Sequence, residues 1–190
     1  MSDVRGYSAI AERADPAALA GQLNDHRRAM NAAILSEKGT VMQYVGDAVM
    51  AVFGAPDPQP DHATRAVHCA KAMHEGQRLL DETWATEGLS PFGLGIGIST
   101  GEVAAALLGS DERLEYTMVG DTVNLAQRLQ DLARPAGTTV MSAATVAAAD
   151  GDWPIEAMGE SLVKGRSTPV VTYRLPPACA TTTAGAVHER

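Results

Sequence analysis

The chain has 190 residues, of which 45% are hydrophobic and 20% charged, enough length and apolar content for one folded domain. Its net charge of -8 argues against a basic nucleic-acid surface, so we expect no nucleic-acid partner. No apolar run approaches the ~20 residues of a membrane span. The cysteines, Cys69 and Cys179, form neither a zinc motif nor a disulfide framework. We therefore expect a cytoplasmic protein without membrane contact of its own.

Two long helices are predicted in the first half of the chain. The first begins after Asp15, which is typical of an N-cap, and its apolar residues recur at helical spacing up to about Lys38. The second begins at Asp61 and continues to about Gly88 with one apolar face. The histidines of this second helix are interpreted as helix-face residues rather than metal ligands.

A β-hairpin is predicted between these helices. Two β-prone apolar runs in residues 39–53 are joined by Val45-Gly46-Asp47, where glycine supplies the backbone angle of a tight turn. The aspartate at the tip stands where a cation can reach it. Asp47 is also consistent with a purely turn-forming residue, because Gly-Asp pairs are frequent in turns.

The second half of the chain contains shorter elements. Residues 92–100 alternate apolar residues with glycine, which predicts a strand with one bare face against which a ligand or another backbone packs. No helix follows these glycines, so they are not a dinucleotide-binding fingerprint. The other predicted elements are strands at 101–108 and 114–119 around a charged tip, a helix at 120–132, a strand at 138–141, a short helix at 143–149, an irregular segment at 155–164 and a last strand at 170–175.

The order of these elements mixes helices and strands without strict alternation. It predicts an α+β fold of the ferredoxin-like or palm type, with a mixed, mainly antiparallel sheet, helices on one face and an extra C-terminal α/β segment. We expect the domain to span residues 1–175. Residues 176–190 are rich in Ala, Thr and Pro without periodicity, and we expect them to form a disordered tail.

Polar residues in three places predict a phosphoryl-transfer site. Asp3 follows a short N-terminal strand and Asp47 lies at the hairpin tip. Two carboxylates on adjacent strands suit a pair of Mg²⁺ ions that keep room for substrate phosphates. Asn124 and Arg128 are four residues apart on one helix face, where Arg128 can bind a phosphate and Asn124 a sugar oxygen. An isolated Asn/Arg pair is also common on a solvated helix face.

Several sequence blocks resemble the signatures of the class III adenylate/guanylate cyclase catalytic domain. They are SDVRGYS at 2–8, GDAVMAVFG at 46–54, YTMVGDTVNLAQRL at 116–129 and, less specifically, VKGR at 163–166. The blocks follow the order of the family and together span most of the chain. Each block alone is modest evidence, but the combination identifies the chain as a member of this family.

The resemblance implies a set of functional residues and cofactors. The family converts a nucleoside triphosphate to its 3′,5′-cyclic monophosphate and pyrophosphate, with two Mg²⁺ or Mn²⁺ ions. The positions that match its metal ligands are Asp3, Asp47 and the Val4 carbonyl. Those that match its phosphate contacts are the amides around Gly6, Tyr7 and Ser8 and the Lys164 side chain. Asn124 and Arg128 match the residues that bind the ribose and stabilise the transition state. Because the family builds its sites between two subunits, a homodimer with two composite sites is implied, with a dimerisation arm at 109–115.

Two positions bear on the choice between ATP and GTP. Adenylate-specific members usually carry lysine at the position of Gln43, and aspartate or, in one subgroup, threonine at the position of Thr117. The chain is thus closest to the threonine subgroup, and ATP is favoured. A glutamine amide can donate to adenine N1 or rearrange to suit guanine, which leaves a guanylate or dual-specificity cyclase as the alternative.

Two further functions fit part of the pattern. Family members have several apolar residues before the first metal aspartate, so we expect the first strand to be truncated at Met1. That truncation and Gln43 would suit a weakly active or inactive nucleotide-binding regulatory domain. Another palm-like nucleotidyl transferase, such as a cyclic-dinucleotide synthase, requires a Gly-Gly-acidic-acidic hairpin, which Val45-Gly46-Asp47-Ala48 does not supply.

Overall fold

The computed structural model describes residues 1–110, 113–161 and 169–177. The elements of these residues are, in chain order, β1 (Ser2–Arg5), α1 (Tyr7–Ala11), α2 (Pro16–Ser36), β2 (Thr40–Val45), β3 (Ala48–Val52), α3 (His62–Thr86), β4 (Gly93–Ile98), β5 (Ala104–Ser110), β6 (Arg113–Val119), α4 (Asp121–Leu132), β7 (Thr139–Ser142), α5 (Ala143–Ala148), β8 (Glu156–Ser161) and β9 (Val170–Leu175). None of the described helices combines the length and apolar character needed to cross a bilayer.

Most strands join one sheet, whose order is β2-β3-β1-β4-β7-β9-β8. Strands β4 and β7 pair in parallel, and the other described pairings of this sheet are antiparallel. Strands β5 and β6 form a separate antiparallel pair. The predicted α+β class with a mixed, mainly antiparallel sheet is therefore confirmed.

The two faces of β4 carry different helices. Leu94 and Ile96 are buried in one cluster with residues of α2 and α3, including Met30. A Cβ added to Gly97 on the opposite face would collide with the Ala126 carbonyl of α4. The predicted bare face thus packs against another backbone. Helices α2 and α3 share one face as expected, whereas α4 departs from that expectation and covers the other.

The junction between α2 and β2 places the hairpin close to the helices. Helix α2 starts as expected, because Asp15 accepts hydrogen bonds from the first amides of the helix. At its other end Lys38 has a φ of +57°, and the Gly39 amide donates to the Ile34 carbonyl at 2.8 Å, which is typical of a helix C-terminus. A Cβ on Gly39 would lie 2.6 Å from the Phe53 ring. The turn from helix to strand is therefore fixed by close packing.

The C-terminal part differs from the expected irregular segment at 155–164. Residues of this segment form β8, an edge strand that pairs with β9. The prediction of irregular structure was wrong because an exposed edge strand needs no apolar alternation, and because its register shifts at Gly159, where φ is +77°. Residues 178–190 of the predicted tail lie outside the described residues, so the domain bounds remain a prediction.

An apolar cavity of about 490 Å³ lies beside the amino terminus, between β3 and β4. The Met1 amino group donates to the Gly97 carbonyl at 3.0 Å, and its burial lowers the pKa of that amino group to about 6. Strand β1 meets β3 at one pair, Ser2 with Val49. The cavity lining contains neither of the two aspartates predicted to bind metal, so this space is separate from the candidate site.

Candidate functional site

The hairpin tip is a two-residue turn between Val45 and Ala48, which pair across β2 and β3. Gly46, the first residue of the turn, has a φ of +61°, the backbone angle that a type II′ turn requires at that position. The second residue, Asp47, turns its carboxylate toward β1, where Oδ2 accepts a hydrogen bond from the Val4 amide at 3.0 Å. The tip aspartate is thus held against the first strand rather than left in solvent.

Asp3 lies on the face of β1 opposite to the core. Val4 is 2% exposed and packs in a buried cluster, so the alternation of the strand turns Asp3 and Arg5 to the α4 side. Arg5 Nη2 lies 3.2 Å from Asp3 Oδ1. Burial raises the pKa of the Asp3 carboxyl, the Arg5 charge opposes this, and the Asp47 charge adds to it. The two carboxylates are therefore close enough to repel each other.

This donor set fits a hard divalent cation. Carboxylate oxygens are the ligands that Mg²⁺ and Mn²⁺ prefer, and repulsion between neighbouring carboxylates is relieved by a cation. Among the described residues no group of three or more His, Cys, Asp or Glu side chains gathers to bind a metal. A pair of carboxylates leaves coordination positions for water and phosphate oxygens, as is usual for Mg²⁺ at phosphate-transfer sites.

The loop after β1 leaves its backbone open. Gly6 has a φ of +73°, and a Cβ added there would meet no atom within 4 Å. Helix α1 starts at Tyr7, whose ring packs against Phe92 at a centroid distance of 5.9 Å, while Ser8 is exposed. The Tyr7 side chain is thus directed to the core, and the surface of this loop consists of backbone and the Ser8 hydroxyl.

The polar pair on α4 lies away from the apolar side of the helix. Leu125 and Leu129 are buried with Val140 of β7, whereas Asn124 is exposed and Arg128 half-buried. Within the described residues, neither of these two side chains forms a hydrogen bond or ion pair. One polar face of α4 is therefore available to a ligand or to another chain.

The two predicted base-recognition residues lie on strands that contact each other. Gln43 belongs to β2 and Thr117 to β6, both are half-buried, and β2 contacts β6. The pairing of β2 with β3 shifts register between Val41 and Gln43, and such a bulge changes the direction of the following side chain. Lys164 lies outside the described residues, as do Asp111 and Glu112 at the tip of the predicted dimerisation arm.

Three charged residues near the carboxylates were not predicted from the sequence. Arg5 pairs with Asp3 and fits against Gly95, where an added Cβ would lie 2.8 Å from Arg5 Nε. The Asp131 charge on α4 contributes to the raised pKa of Asp3. Arg27 of α2 contacts the hairpin tip. Of these, Arg5 had a sequence signal, because the glycines of β4 leave room for a large side chain on the neighbouring strand.

The mainly antiparallel sheet has a palm-type architecture, and pairs of adjacent carboxylates are typical of metal-dependent phosphoryl-transfer sites. The sequence matches the family described as Adenylate and Guanylate cyclase catalytic domain over residues 1–176. Since this match covers nearly the whole chain, the protein belongs to that family, as the signature blocks predicted.

Individual relatives agree with this assignment. Adenylate cyclase 1 of Rhizobium meliloti is 32% identical over 176 residues, which are 92% of this chain and 26% of the relative. The solved adenylyl cyclase CyaB from P. aeruginosa has a TM-score of 0.88 at 33% identity, with 93% of this chain and 91% of that chain covered. The guanylyl cyclase Cya2 has a TM-score of 0.85 at 33% identity, with 96% and 92% covered. The chain spans less than a third of the length of the curated relatives it matches.

Proposed function

We propose that this chain is a class III adenylate cyclase domain, which converts ATP to 3′,5′-cyclic AMP and pyrophosphate. The proposal rests on the proximity of Asp3 and Asp47 where β1 passes the hairpin tip. There the Asp47 carboxylate accepts a hydrogen bond from the amide of Val4, the residue next to Asp3. Family membership agrees with this chemistry.

Asp3 and Asp47 would hold two Mg²⁺ or Mn²⁺ ions, with the Val4 carbonyl as a further ligand. Such ions, when bound, supply Lewis-acid stabilisation of the phosphate charge and lower the pKa of the ribose 3′-hydroxyl. Burial is the main cause of the raised pKa of the Asp3 carboxyl, and the Asp47 charge adds to it. Two neighbouring carboxylates of this kind support the assignment, because a cation between them relieves their repulsion. In the chain itself, Arg5 offsets part of the Asp3 charge.

The other residues would position the triphosphate and stabilise the transition state. The ribose 3′-hydroxyl releases its proton to solvent and its oxygen attacks the α-phosphorus. The bond from this phosphorus to the bridging oxygen of the β-phosphate breaks, and pyrophosphate leaves with the electron pair. Arg128 offsets the charge that develops at the α-phosphorus, and Asn124 orients a ribose oxygen. The open amides of Gly6, Tyr7 and Ser8 bind the phosphate oxygens, and Lys164 supplies a further phosphate contact.

The site would be shared between two copies of the chain in a homodimer. Asp3 and Asp47 come from one protomer, and Asn124 and Arg128 come from its partner, which forms two equivalent sites by symmetry. The polar face of α4, on which Asn124 is exposed and Arg128 half-buried, supports this arrangement. One sequence contains all the parts, so no different partner chain is needed.

ATP is proposed as the preferred substrate, and GTP is the second candidate. The adenylate cyclase of Rhizobium meliloti and the adenylyl cyclase CyaB are similar to this chain, and Thr117 suits the adenylate subgroup. Gln43 can pair with either base, and the guanylyl cyclase Cya2 is as similar in sequence as CyaB. These two observations keep the guanylate alternative open.

The proposal is tested by incubating the purified chain with Mn²⁺ or Mg²⁺ and either ATP or GTP, followed by chromatographic measurement of cyclic nucleotides. We expect cyclic AMP to form faster than cyclic GMP. The Asp47→Asn variant is the matched control for contaminating enzymes. A preference for GTP would select the second candidate. Absence of any cyclic product under all four conditions would contradict the cyclase proposal itself.

A further inference from the structure

We infer that Arg27 is a positioning residue, which fixes the tip of the β2–β3 hairpin and so aligns the Asp47 carboxylate for divalent-cation binding. This inference rests on the proposed function where it concerns turnover. Arg27 lies on α2, outside the signature blocks that carry the family resemblance, and it contacts the turn at the Gly46 carbonyl.

The contact of Arg27 with the turn is direct. Its Nη2 donates a hydrogen bond to the Gly46 carbonyl at 2.6 Å, and its guanidinium lies 5.1 Å from the centre of the Tyr44 ring. The Gly46 carbonyl belongs to the peptide unit that joins Gly46 to Asp47. A hydrogen bond from a cation to this carbonyl therefore restrains the backbone from which the Asp47 side chain extends.

The hairpin tip has little packing of its own. A Cβ added to Gly46 would meet no atom within 4 Å, and Val45 is 56% exposed. The Asp47 carboxylate links the tip to β1 through the Val4 amide. Arg27 adds a second contact, at the Gly46 carbonyl. Two polar contacts, rather than an apolar core, therefore determine where the carboxylate stands.

The helix behind Arg27 is a rigid support. The neighbouring residue His26 is fully buried, and its Nδ1 lies 2.6 Å from the Gln77 amide oxygen of α3. Gln77 in turn donates to Asp81 at 2.7 Å, and the Asp81 carboxylate accepts from the Phe92 amide at 2.9 Å. This chain of buried and part-buried hydrogen bonds connects α2 to α3 and to the start of β4. Through its hydrogen bond to the Gly46 carbonyl, Arg27 restrains the turn relative to this helix.

The adjacent residue Arg28 is a natural control. It carries the same charge on the same helix, but its side chain is 77% exposed and pairs with Asp25 within the helix. The Arg28→Ala variant therefore loses one positive charge but no contact with the hairpin. The conservative change Arg27→Lys keeps the charge but loses the planar fork and most of the stacking on Tyr44. These two variants separate positioning from net charge.

The test compares wild type with Arg27→Ala, Arg27→Lys and Arg28→Ala. Hydrogen exchange of the amides in residues 44–49 reports on the hairpin, titration with Mn²⁺ alone reports on cation binding, and steady-state kinetics with ATP separates kcat from the Mn²⁺ requirement. For Arg27→Ala we expect about tenfold faster hairpin exchange and about tenfold weaker Mn²⁺ binding. The kcat at saturating Mn²⁺ should change less than about threefold. Arg27→Lys should be intermediate and Arg28→Ala unchanged.

Unchanged hairpin exchange and Mn²⁺ affinity in Arg27→Ala would overturn the inference, and so would equal effects in Arg28→Ala. The exchange and Mn²⁺ measurements need no turnover. If they show the expected changes while no variant makes a cyclic nucleotide, the positioning role stands and the cyclase proposal fails. If wild type is an active cyclase and Arg27→Ala leaves both readouts unchanged, only the positioning role fails.

Discussion

The two halves of the proposed site differ in how their polar groups are satisfied. At the hairpin, Asp47 accepts from Val4, Asp3 pairs with Arg5, and Arg27 binds the Gly46 carbonyl. On α4, by contrast, Asn124 and Arg128 form no side-chain hydrogen bond or ion pair within the described part of the chain. The acidic half is built by contacts within the chain, whereas the polar side chains of α4 make no such contacts among the described residues.

This difference has a physical consequence. Two carboxylates held in place bind a cation with little rearrangement, so their geometry depends on the fold of one chain. An exposed helix face acquires a fixed position relative to a substrate only when a second surface defines the cleft. Variants in the acidic half should therefore affect cation binding, and variants on α4 should affect turnover.

The largest effect is expected for Asp47→Asn. The amide oxygen still accepts from the Val4 amide, so the hairpin should keep its place, but the charge for the cation is lost. We expect activity to fall at least about 100-fold with little change in thermal stability, measured as cyclic AMP formation and by calorimetry. Asp57→Asn in an exposed loop is the control. Retention of most activity in Asp47→Asn would show that the metal assignment is wrong.

The next largest effect is expected for Arg128→Ala. Because Arg128 is assigned to the transition state, kcat should fall roughly 50- to 100-fold while KM for ATP changes only a few-fold. Gln127→Ala, at an exposed neighbouring position of α4, should leave both constants near wild type. A large rise in KM with unchanged kcat would instead make Arg128 a residue of ground-state binding.

A smaller effect is expected for Gln43→Lys. Lysine restores a charged donor that suits adenine N1 and cannot accept a hydrogen bond from guanine. The ratio of kcat/KM for ATP to that for GTP should rise about fivefold. The measurement is a pair of steady-state curves on the same preparation. An unchanged ratio would remove Gln43 from base recognition.

The smallest effect on activity is expected for His74→Gln, in a region that belongs to neither half. His74 Nε2 lies 3.0 Å from the Thr139 hydroxyl, and burial lowers the pKa of His74 from 6.5 to about 4. As the pH falls from 6.5 toward 4, the unfolded chain binds a proton that the folded chain does not, so wild type loses stability.

The free energy of unfolding of wild type should therefore fall by about 2 kcal/mol from this group between pH 7.5 and pH 5, and His74→Gln should not show this part of the loss. Urea unfolding at the two pH values measures the change in the free energy of unfolding for each protein. The contributions of other titrating groups cancel when the two changes are compared. A parallel pH dependence in both proteins would contradict the assignment. Turnover at pH 7.5 should stay near wild type.

Local signals in the sequence predicted much of the fold. The N-cap at Asp15, the glycine of the hairpin turn and the alternating glycines of β4 each act within a few residues, and each prediction was confirmed. Strand β8 was missed because an exposed edge strand lacks the apolar alternation that identifies a half-buried one. The position of α4 opposite to α2 and α3 depends on long-range packing, which periodicity does not report.

The geometry of the candidate site could be predicted in part. The family blocks predicted Asp3 and Asp47 as partners in one site, and in the structure these two residues lie close together. The contact of Arg27 with Gly46 joins residues 19 positions apart, and no short-range pattern marks it. Similarly, the Asp131 charge reaches Asp3 only because α4 packs over β1. Interactions that depend on helix placement therefore had to come from the structure.

The most direct test of the composite site mixes two variants of strongly reduced activity, Asp47→Asn and Arg128→Ala, and measures cyclic AMP formation. In a mixed dimer, one site combines the intact carboxylates of the Arg128→Ala chain with the intact arginine of its partner. Random mixing should restore roughly a quarter of wild-type activity, since half of the dimers are mixed and each has one complete site of two. If the mixture stays as inactive as its components while wild type is active, the two halves do not meet across a dimer interface.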